Sequence, residues 1–503
     1  MKKYIVYVLM VFLYTSGSFA QSMDDVLRFV RPELKGSARF TAMGGAFNAL
    51  GGDLSAIKDN PAGAAVFLNS ELGMTINSID NKMDATYFGN TNPVDSRSFE
   101  FEQFGMVLVL NNTAGDDQFL KISLGYNYQN ERIYNDKYNA IGENPNRGLD
   151  DYFLFFANGV PYEDIKTYDN EPLSTSYRFL GENRGFSSQQ AFLGYQGFVI
   201  NPVSTQDGNT QYVSNSNPQG GPVQHNYFVT RTGKNTKNTF TLAAQYQQNL
   251  YLGLNLNSHR MEFKRVDNLI EDNYGLGSTF NYTEFQNELF TVGNGFSFQL
   301  GGIYKANENI RIGLSYQSPI WYEMTDELLQ FIISSKSNGT DTVDPQVVNV
   351  YDYNFSTPSI FSGGLAYIFG TQGLISLQYD FSSFQNTQFD IGEGDKNFIN
   401  QNERIKKNLQ SAGVLRLGGE YRIDRFSLRA GYFNQQSINK TSNDLSNGFT
   451  GGLGYDFGGS ILNLSLTQSE YQHSERIYQD GLTDPIRLNK DQIQFLVSYS
   501  FKL

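Results

Sequence analysis

The 503-residue sequence has no cysteine, one tryptophan and three histidines. Without thiols, disulfides and thiolate metal sites are excluded. His225, His259 and His473 show no ligand spacing and read as isolated surface or loop residues. Basic residues are in deficit, 38 Lys and Arg against 51 Asp and Glu, and the resulting net charge of −13 argues against a nucleic-acid partner. Beyond the start of the chain, no stretch approaches the roughly twenty apolar residues of a membrane-spanning helix. Patterns for chemistry are missing as well. Gly233-Lys234 lacks the spacing of a phosphate loop. No two carboxylates are set out for acid–base work, and Asp116-Asp117 and Asp150-Asp151 read as solvated loop acids rather than calcium ligands. The expectation is a protein that is not an enzyme, with no cofactor and no metal.

What is present begins with an export signal over residues 1–20. Lys2 and Lys3 precede a short apolar run, and Ser18-Phe19-Ala20 supplies the small-x-small pattern before a cleavage point. The run is too short for a lasting membrane helix, and Gln21 in place of cysteine excludes a lipid-anchored start.

Aromatic residues make up 15% of the chain, 40 Phe and 32 Tyr, and they need a place. Period-two alternation supplies it. Ile493, Phe495, Val497, Tyr499 and Phe501 alternate with polar residues up to Lys502. In a strand this puts an apolar row on one face and a polar row on the other. The pattern recurs around Leu120–Tyr128, Ile375–Phe381, Leu415–Ile423, Phe426–Tyr432 and Leu462–Leu466, with shorter versions from Phe240, Leu252, Phe296, Ile310, Tyr351 and Phe449. Two less regular candidates lie at Leu72–Ile79 and Phe104–Leu110. A mean hydropathy of −0.41 does not oppose a membrane location, because only alternate residues of a barrel face lipid. The fold expected is all-β, a closed antiparallel transmembrane β-barrel of about fourteen strands.

Connection lengths agree. Short turns near residues 111–117, 248–250, 305–309, 370–373, 423–425 and 458–460 alternate with long polar loops, as when one barrel end faces a periplasm and the other the exterior. Both termini then fall on the periplasmic side of an outer membrane. One connection, residues 131–237, is far longer than ordinary loops; it reads as a folded extracellular cap, a partner-binding surface or a partly disordered segment, with an ordered cap favoured. Residues 321–334, with Leu328, Leu329, Phe331 and Ile332, look helix-like.

Residues 21–70 do not alternate. Residues 23–30 suggest a short helix, followed by Gly36-Ser37-Ala38-Arg39, Met43-Gly44-Gly45-Ala46-Phe47 and Asn60-Pro61-Ala62-Gly63. Small residues allow tight turns and close backbone contact. The segment is too polar for lipid and too short for a domain of its own; its economical place is inside the barrel of residues 71–503. Among the lumen-facing residues, Arg416, Glu420, Arg422 and Arg429 bring opposite charges together on neighbouring strands, either as ordinary polar lining or to hold the plug electrostatically.

These N-terminal motifs, with Arg311–Pro319, Gly373–Ser376, Arg416–Tyr421 and Leu428–Tyr432, resemble the FadL family of outer-membrane transporters for hydrophobic compounds, in particular its Bacteroidota-type members. The resemblance implies fourteen strands, an N-terminal hatch in the lumen with Asn60, Pro61, Ala62 and Gly63 as hatch or gating residues, and passive diffusion of an apolar ligand such as a fatty acid or aromatic compound. It also implies lateral exit at a kinked third strand, where Gly125 is the candidate kink. Expected partners are outer-membrane lipid, a hydrophobic small molecule and other outer-membrane proteins. The alternative function is that of a structural or accessory barrel subunit of a secretion or assembly complex, for which the long 131–237 excursion offers contact surface.

Overall fold

The computed structural model describes residues 29–112, 118–167, 171–390, 396–440 and 444–503. The signal segment and Asp116-Asp117 lie outside the described residues. So does most of the short helix expected over residues 23–30, of which Phe29 and Val30 are helical.

The wall strands are β1 (Glu71–Tyr87), β2 (Asn90–Asn111), β3 (Phe119–Asn144), β4 (Val223–Tyr246), β5 (Leu250–Asp272) and β6 (Phe280–Lys305). Strand β7 runs in two pieces, Ile310–Gln317 and Trp321–Lys336, and so does β8, as Asn349–Ser356 and Ile360–Phe369. The ring continues with β9 (Gly373–Ser383), β10 (Ser411–Ile423), β11 (Phe426–Gln435), β12 (Leu445–Asp456), β13 (Ser460–Arg476) and β14 (Pro485–Lys502). Every neighbour pair is antiparallel, and β14 pairs with β1 from Glu71↔Lys502 to Thr86↔Arg487, which closes the wall. The eighteen segments of the sheet reduce to fourteen wall strands. Two strands are interrupted once each, and Gly339–Val343 and Gln388–Phe389 are short additions outside the ring.

The alternation does what it must in lipid. Ile375, Leu377, Tyr379 and Phe381 are all exposed on the outer face, as are Ile493, Phe495 and Phe501, while Gln492, Gln494, Ser498 and Ser500 are buried inside. The turns at one end are short, for example residues 247–249 between β4 and β5 and 424–425 between β10 and β11. The first residue of β1 and the last of β14 meet at that same end.

At the other end several strands outrun their alternation. β3 continues to Asn144 and β4 starts at Val223, so residues 131–144 and 223–237 belong to wall strands and only residues 145–222 form the excursion. β1 and β2, which alternate visibly only near their bases, run on to a two-residue turn at Phe88-Gly89 with positive φ at both positions, the backbone a tight hairpin prefers. Above the bilayer neither face meets hydrocarbon, so the sequence loses its period while the hydrogen-bond ladder persists. The run at residues 321–334 is also strand, not helix. Its apolar residues include Ile332, buried against the cap, so both faces of β7 carry apolar side chains there and the period of two is masked.

The excursion is folded. Helices α2 (Leu149–Ala157), α3 (Tyr162–Ile165), α4 (Leu173–Asn183) and α5 (Phe186–Gln196) follow the small α1 (Ala38–Ala42) of the N-terminal segment. They pack into a buried core that includes Tyr87, Tyr138, Phe153, Phe192, Phe285 and Leu488, drawn from the cap and from the rims of β1, β3 to β7 and β14. That core covers the outer mouth on the side of β14, β1 and β3 to β7.

Candidate functional site

Residues 36–67 touch inward-facing groups almost all the way around the wall, which places them inside it. Ala38 N donates to Ser498 Oγ of β14 (2.7 Å), and Thr41 Oγ1 lies 2.8 Å from Ser465 Oγ of β13. Gly44 N donates to Thr450 Oγ1 of β12 (3.1 Å), and Phe47 and Asn48 N–H both donate to Gln378 Oε1 of β9 (2.9 Å each). Asn255 of β5 donates to Ile57 O (2.8 Å) and Gln299 of β6 to Lys58 O (2.6 Å). This segment needs room that a side chain on the wall would take. A Cβ on Gly253 would collide with the Pro61 backbone, one on Gly301 with Asn60, and one on Gly313 with the Asn48 carbonyl.

Asn60 organises the centre of the plug. Its side chain accepts from Ala62 N (3.1 Å) and caps the short 3₁₀ helix Pro61–Val66, in which Pro61 takes the first position, where a missing N–H costs nothing. The same side chain donates to Asn48 O (2.8 Å) and to Gly302 O of β6 (3.1 Å), tying two hatch loops to the wall. Asn60, Pro61, Ala62 and Gly63 are all buried.

The lumen charges converge on Glu420, whose side chain is fully buried. Arg39 of the hatch lies 2.9 Å from Glu420 Oε2, Arg429 2.7 Å from the same oxygen, and Arg422 2.6 Å from Oε1. Arg416 stands apart and pairs with Asp380 (3.0 Å). A second contact to the plug was not legible as a site: Lys35 and Glu102, both buried, face each other at 3.8 Å. A bulge between Thr75 and Ile76 of β1 skips Glu102 in the pairing with β2. Such an extra residue re-aims a side chain, and Glu102 and Gln103 consequently both face inward. The signal was present, since Phe99 and Phe101 share one parity and Phe104 has the other.

Gly125 pairs with Val107 of β2 and Thr241 of β4, and a Cβ there would approach Thr241 at 3.1 Å and Ile57 of the hatch at 3.7 Å. The irregularities of β3 toward β4 lie at Phe119/Lys121 and Asn130/Arg132. The β2–β3 ladder spans Gln103↔Gln129 to Asn111↔Lys121 and stops there. Above it the two strands are bridged by side chains, Asn130 donating to Phe101 O (2.8 Å) and Ser96 to Asn135 O (2.9 Å).

The histidines are not the isolated surface or loop residues expected. His225 and His259 are buried, and all three sit beside carboxylates, His225 with Glu271 (2.9 Å), His259 with Glu131 (3.0 Å) and His473 with Glu475 (3.0 Å). Wall strands that continue above the membrane create interior positions that the sequence had assigned to a loop.

Above the hatch lies a cavity of about 190 Å³. One side is apolar, with Ile320, Pro358, Ile360, Phe384 and Val414; the other is charged, with Lys58 and Asp59 of the hatch, Lys237, Glu131, Arg416 and Asp380. Burial lowers the pKa of Lys58 to about 8, against the opposing pull of Asp59. Its Nζ donates to Lys35 O at 2.7 Å. Pro319 and Pro358 fall in the adjoining breaks of β7 and β8, bridged by Ile320 N to Thr357 Oγ1 (2.9 Å) and Thr357 N to Ile320 O (3.1 Å).

A closed wall of fourteen strands, lipid-facing outside and filled by its own N-terminal segment, is the build of a plugged outer-membrane transport protein. Over part of its length the chain is similar to the FadL-like family of that class. Its residues 229–448 match the family described as outer membrane protein transport protein (OMPP1/FadL/TodX). Among solved structures it is similar to a Pseudomonas aeruginosa FadL homologue, with 12% identity, a TM-score of 0.58, and 94% of this chain and 99% of that one covered. It is similar to the P. putida toluene transporter TodX, with 14% identity, a TM-score of 0.50, and 93% and 99% covered. The CymD monoaromatic hydrocarbon channel gives 13%, 0.50, 93% and 98%. At these identities the likeness is one of fold. No curated protein matches the sequence.

Proposed function

We propose that the chain carries a hydrophobic small molecule, of fatty-acid or aromatic type, passively across the outer membrane through the cavity above the hatch, without catalysis. The two-sided lining of that cavity carries the reading. Ile320, Ile360 and Val414 offer an apolar wall to a tail or ring, while Lys58 and Arg416 offer cations to a polar head. Pockets that set an apolar wall against placed polar groups suit small amphipathic ligands.

In this reading Asn60, Pro61, Ala62 and Gly63 form the part of the hatch that must shift, and the Arg39–Glu420 contact, reinforced by Arg422 and Arg429, holds it at rest, with Arg416 at the cavity floor. Lateral exit is assigned to the seam above Gln103 and Gln129, where β2 and β3 share no ladder, with Gly125 as the point below it where β3 can bend. The test is uptake of a radiolabelled long-chain fatty acid and of a monoaromatic hydrocarbon by cells making the chain or its Ile360→Asp/Val414→Asp form. A fall of about tenfold in the variant is expected, since each buried aliphatic side chain contributes roughly 1.5–3 kcal/mol of apolar burial. Uptake equal to that of cells lacking the chain would overturn the proposal.

A further inference from the structure

One element of the outer rim differs from the rest in its charge. Helix α6 (Lys396–Asn408) lies in the connection between β9 and β10. Arg404, Lys406 and Lys407 are exposed on it, against a single exposed acid, Glu403. Lys440, from the connection between β11 and β12, is brought alongside, its Nζ donating to the carbonyls of Lys406 (2.8 Å) and Lys407 (3.1 Å). Among the described residues no acid pairs with these four cations. Elsewhere on the outer extension several exposed cations sit beside acids: Lys82 with Asp84, Arg260 with Glu262, Lys264 with Glu288. In a chain of net charge −13 this is a local reversal of sign.

A simpler account covers only part of it. Basic residues in a last turn favour the helix dipole, which explains Lys406 and Lys407. The carbonyls of those two residues already have the Lys440 ammonium, and Arg404 makes no contribution to capping.

Position supplies the partner. The chain leaves β9 at Ser383 and re-enters the wall at Ser411; these two pair, their hydroxyls 3.1 Å apart, two residues beyond the lipid-facing Phe381 and its partner Gly413. The C-terminal end of α6 is fastened at this level by the Leu409↔Asn439 bridge and by Lys440 N donating to Asn408 O (2.8 Å). Its apolar side holds it in place, with Phe398 and Ile405 buried and Phe398 stacked on Phe389 at 5.1 Å. The four cations therefore form a fixed surface in the layer just outside the hydrocarbon, where lipid headgroups lie.

We propose that α6 and Lys440 are a docking surface for the phosphate groups of an anionic outer-leaflet glycolipid. Clustered Lys and Arg at a membrane surface attract anionic headgroups, and the attraction weakens with salt. The experiment uses the full chain in neutral-detergent micelles and measures binding of a bisphosphorylated diglucosamine lipid and of the same lipid after phosphatase treatment. Removal of the phosphates is expected to weaken binding by about tenfold or more, as is Arg404→Gln/Lys406→Gln/Lys407→Gln/Lys440→Gln. Raising salt to about 0.5 M should weaken binding to the unaltered chain. The charge-keeping variant Lys406→Arg/Lys407→Arg/Lys440→Arg should bind as the parent does, and Lys82→Gln/Arg97→Gln, on the β1–β2 hairpin, should have no effect. Equal affinity for the two lipids overturns the proposal. So does full displacement by millimolar inorganic phosphate, which would mark a small-anion site instead.

Discussion

Three guanidinium groups converge on Glu420, and one of them, Arg39, belongs to the hatch. Oppositely charged groups attract strongly where water is scarce, but each has also been stripped of solvent, so the arrangement stands only while complete. Glu420→Gln keeps the shape and removes the charge, leaving Arg39 and Arg429 facing each other's charge with Asp53 as a nearby carboxylate that lies in no ion pair with either. The expected cost is about 3 kcal/mol, concentrated on the hatch. Hydrogen exchange of residues 38–42 should then speed up by roughly two orders of magnitude, at about 1.4 kcal/mol per tenfold. Exchange that does not change in these residues would show that Glu420 is wall lining with no hold on the plug. Asn60 acts differently, because its amide closes a helix turn inside the hatch and reaches Gly302 O on the wall at once. Wall glycines such as Gly301 and Gly313 make that approach possible.

At the scale of elements, the cap meets the barrel through α2. Asp150, in its first turn, is buried, and burial first and the nearby Glu271 second raise its pKa to about 7. An acid whose folded pKa lies above its unfolded value binds a proton on folding. The contribution of Asp150 to cap stability is therefore present at low pH, falls as pH rises from the ordinary carboxylate range, and is lost above 7. Limited proteolysis of residues 149–196 should be slower at pH 5 than at pH 8 in the parent, and Asp150→Asn should remove much of that difference by protecting the cap at pH 8. A variant with the parent's full pH dependence would rule Asp150 out as its source. The sequence had read Asp150 as a solvated loop acid, and the reason for the difference is general to the cap. Within the bilayer the solvent imposes a period of two, so β9, β10, β11 and β14 could be read almost residue by residue, and so could the short turns between neighbours. Above the bilayer nothing imposes it, and the distal halves of β1 to β6 were invisible, together with the interior positions of His225 and Glu271 that they create. The plug was legible through its small residues and Asn60-Pro61. Arg39, the hatch residue that reaches Glu420, was visible only as part of a motif, and Asp380 only as one polar residue in an alternating strand.

At the scale of the whole molecule, the position of the two fillings constrains how anything moves. The core around Phe153, Phe192 and Phe285 covers one side of the outer mouth, the hatch fills the lower lumen, and the cavity lies above the hatch. A solute reaching the periplasm must displace the hatch or pass through the wall. The absence of cysteine makes the hatch directly testable, because any introduced pair has no competitor. Leu54 of the hatch faces Gly105 of β2, where an added Cβ would stand 3.0 Å from the Leu54 Cβ. Disulfides place the two Cβ atoms about 3.5–4.5 Å apart, so a shift of roughly half an ångström accommodates the bond. In Leu54→Cys/Gly105→Cys, oxidation should fix the hatch to the wall and reduce uptake at least about fivefold, and a reductant should restore it, while each single substitution stays near the parent. If the oxidised double variant, with its crosslink verified by mass, takes up ligand as fast as the reduced one, the hatch at Leu54 does not move during transport. The passage would then have to run through the wall at the β2–β3 seam while that part of the plug stays in place.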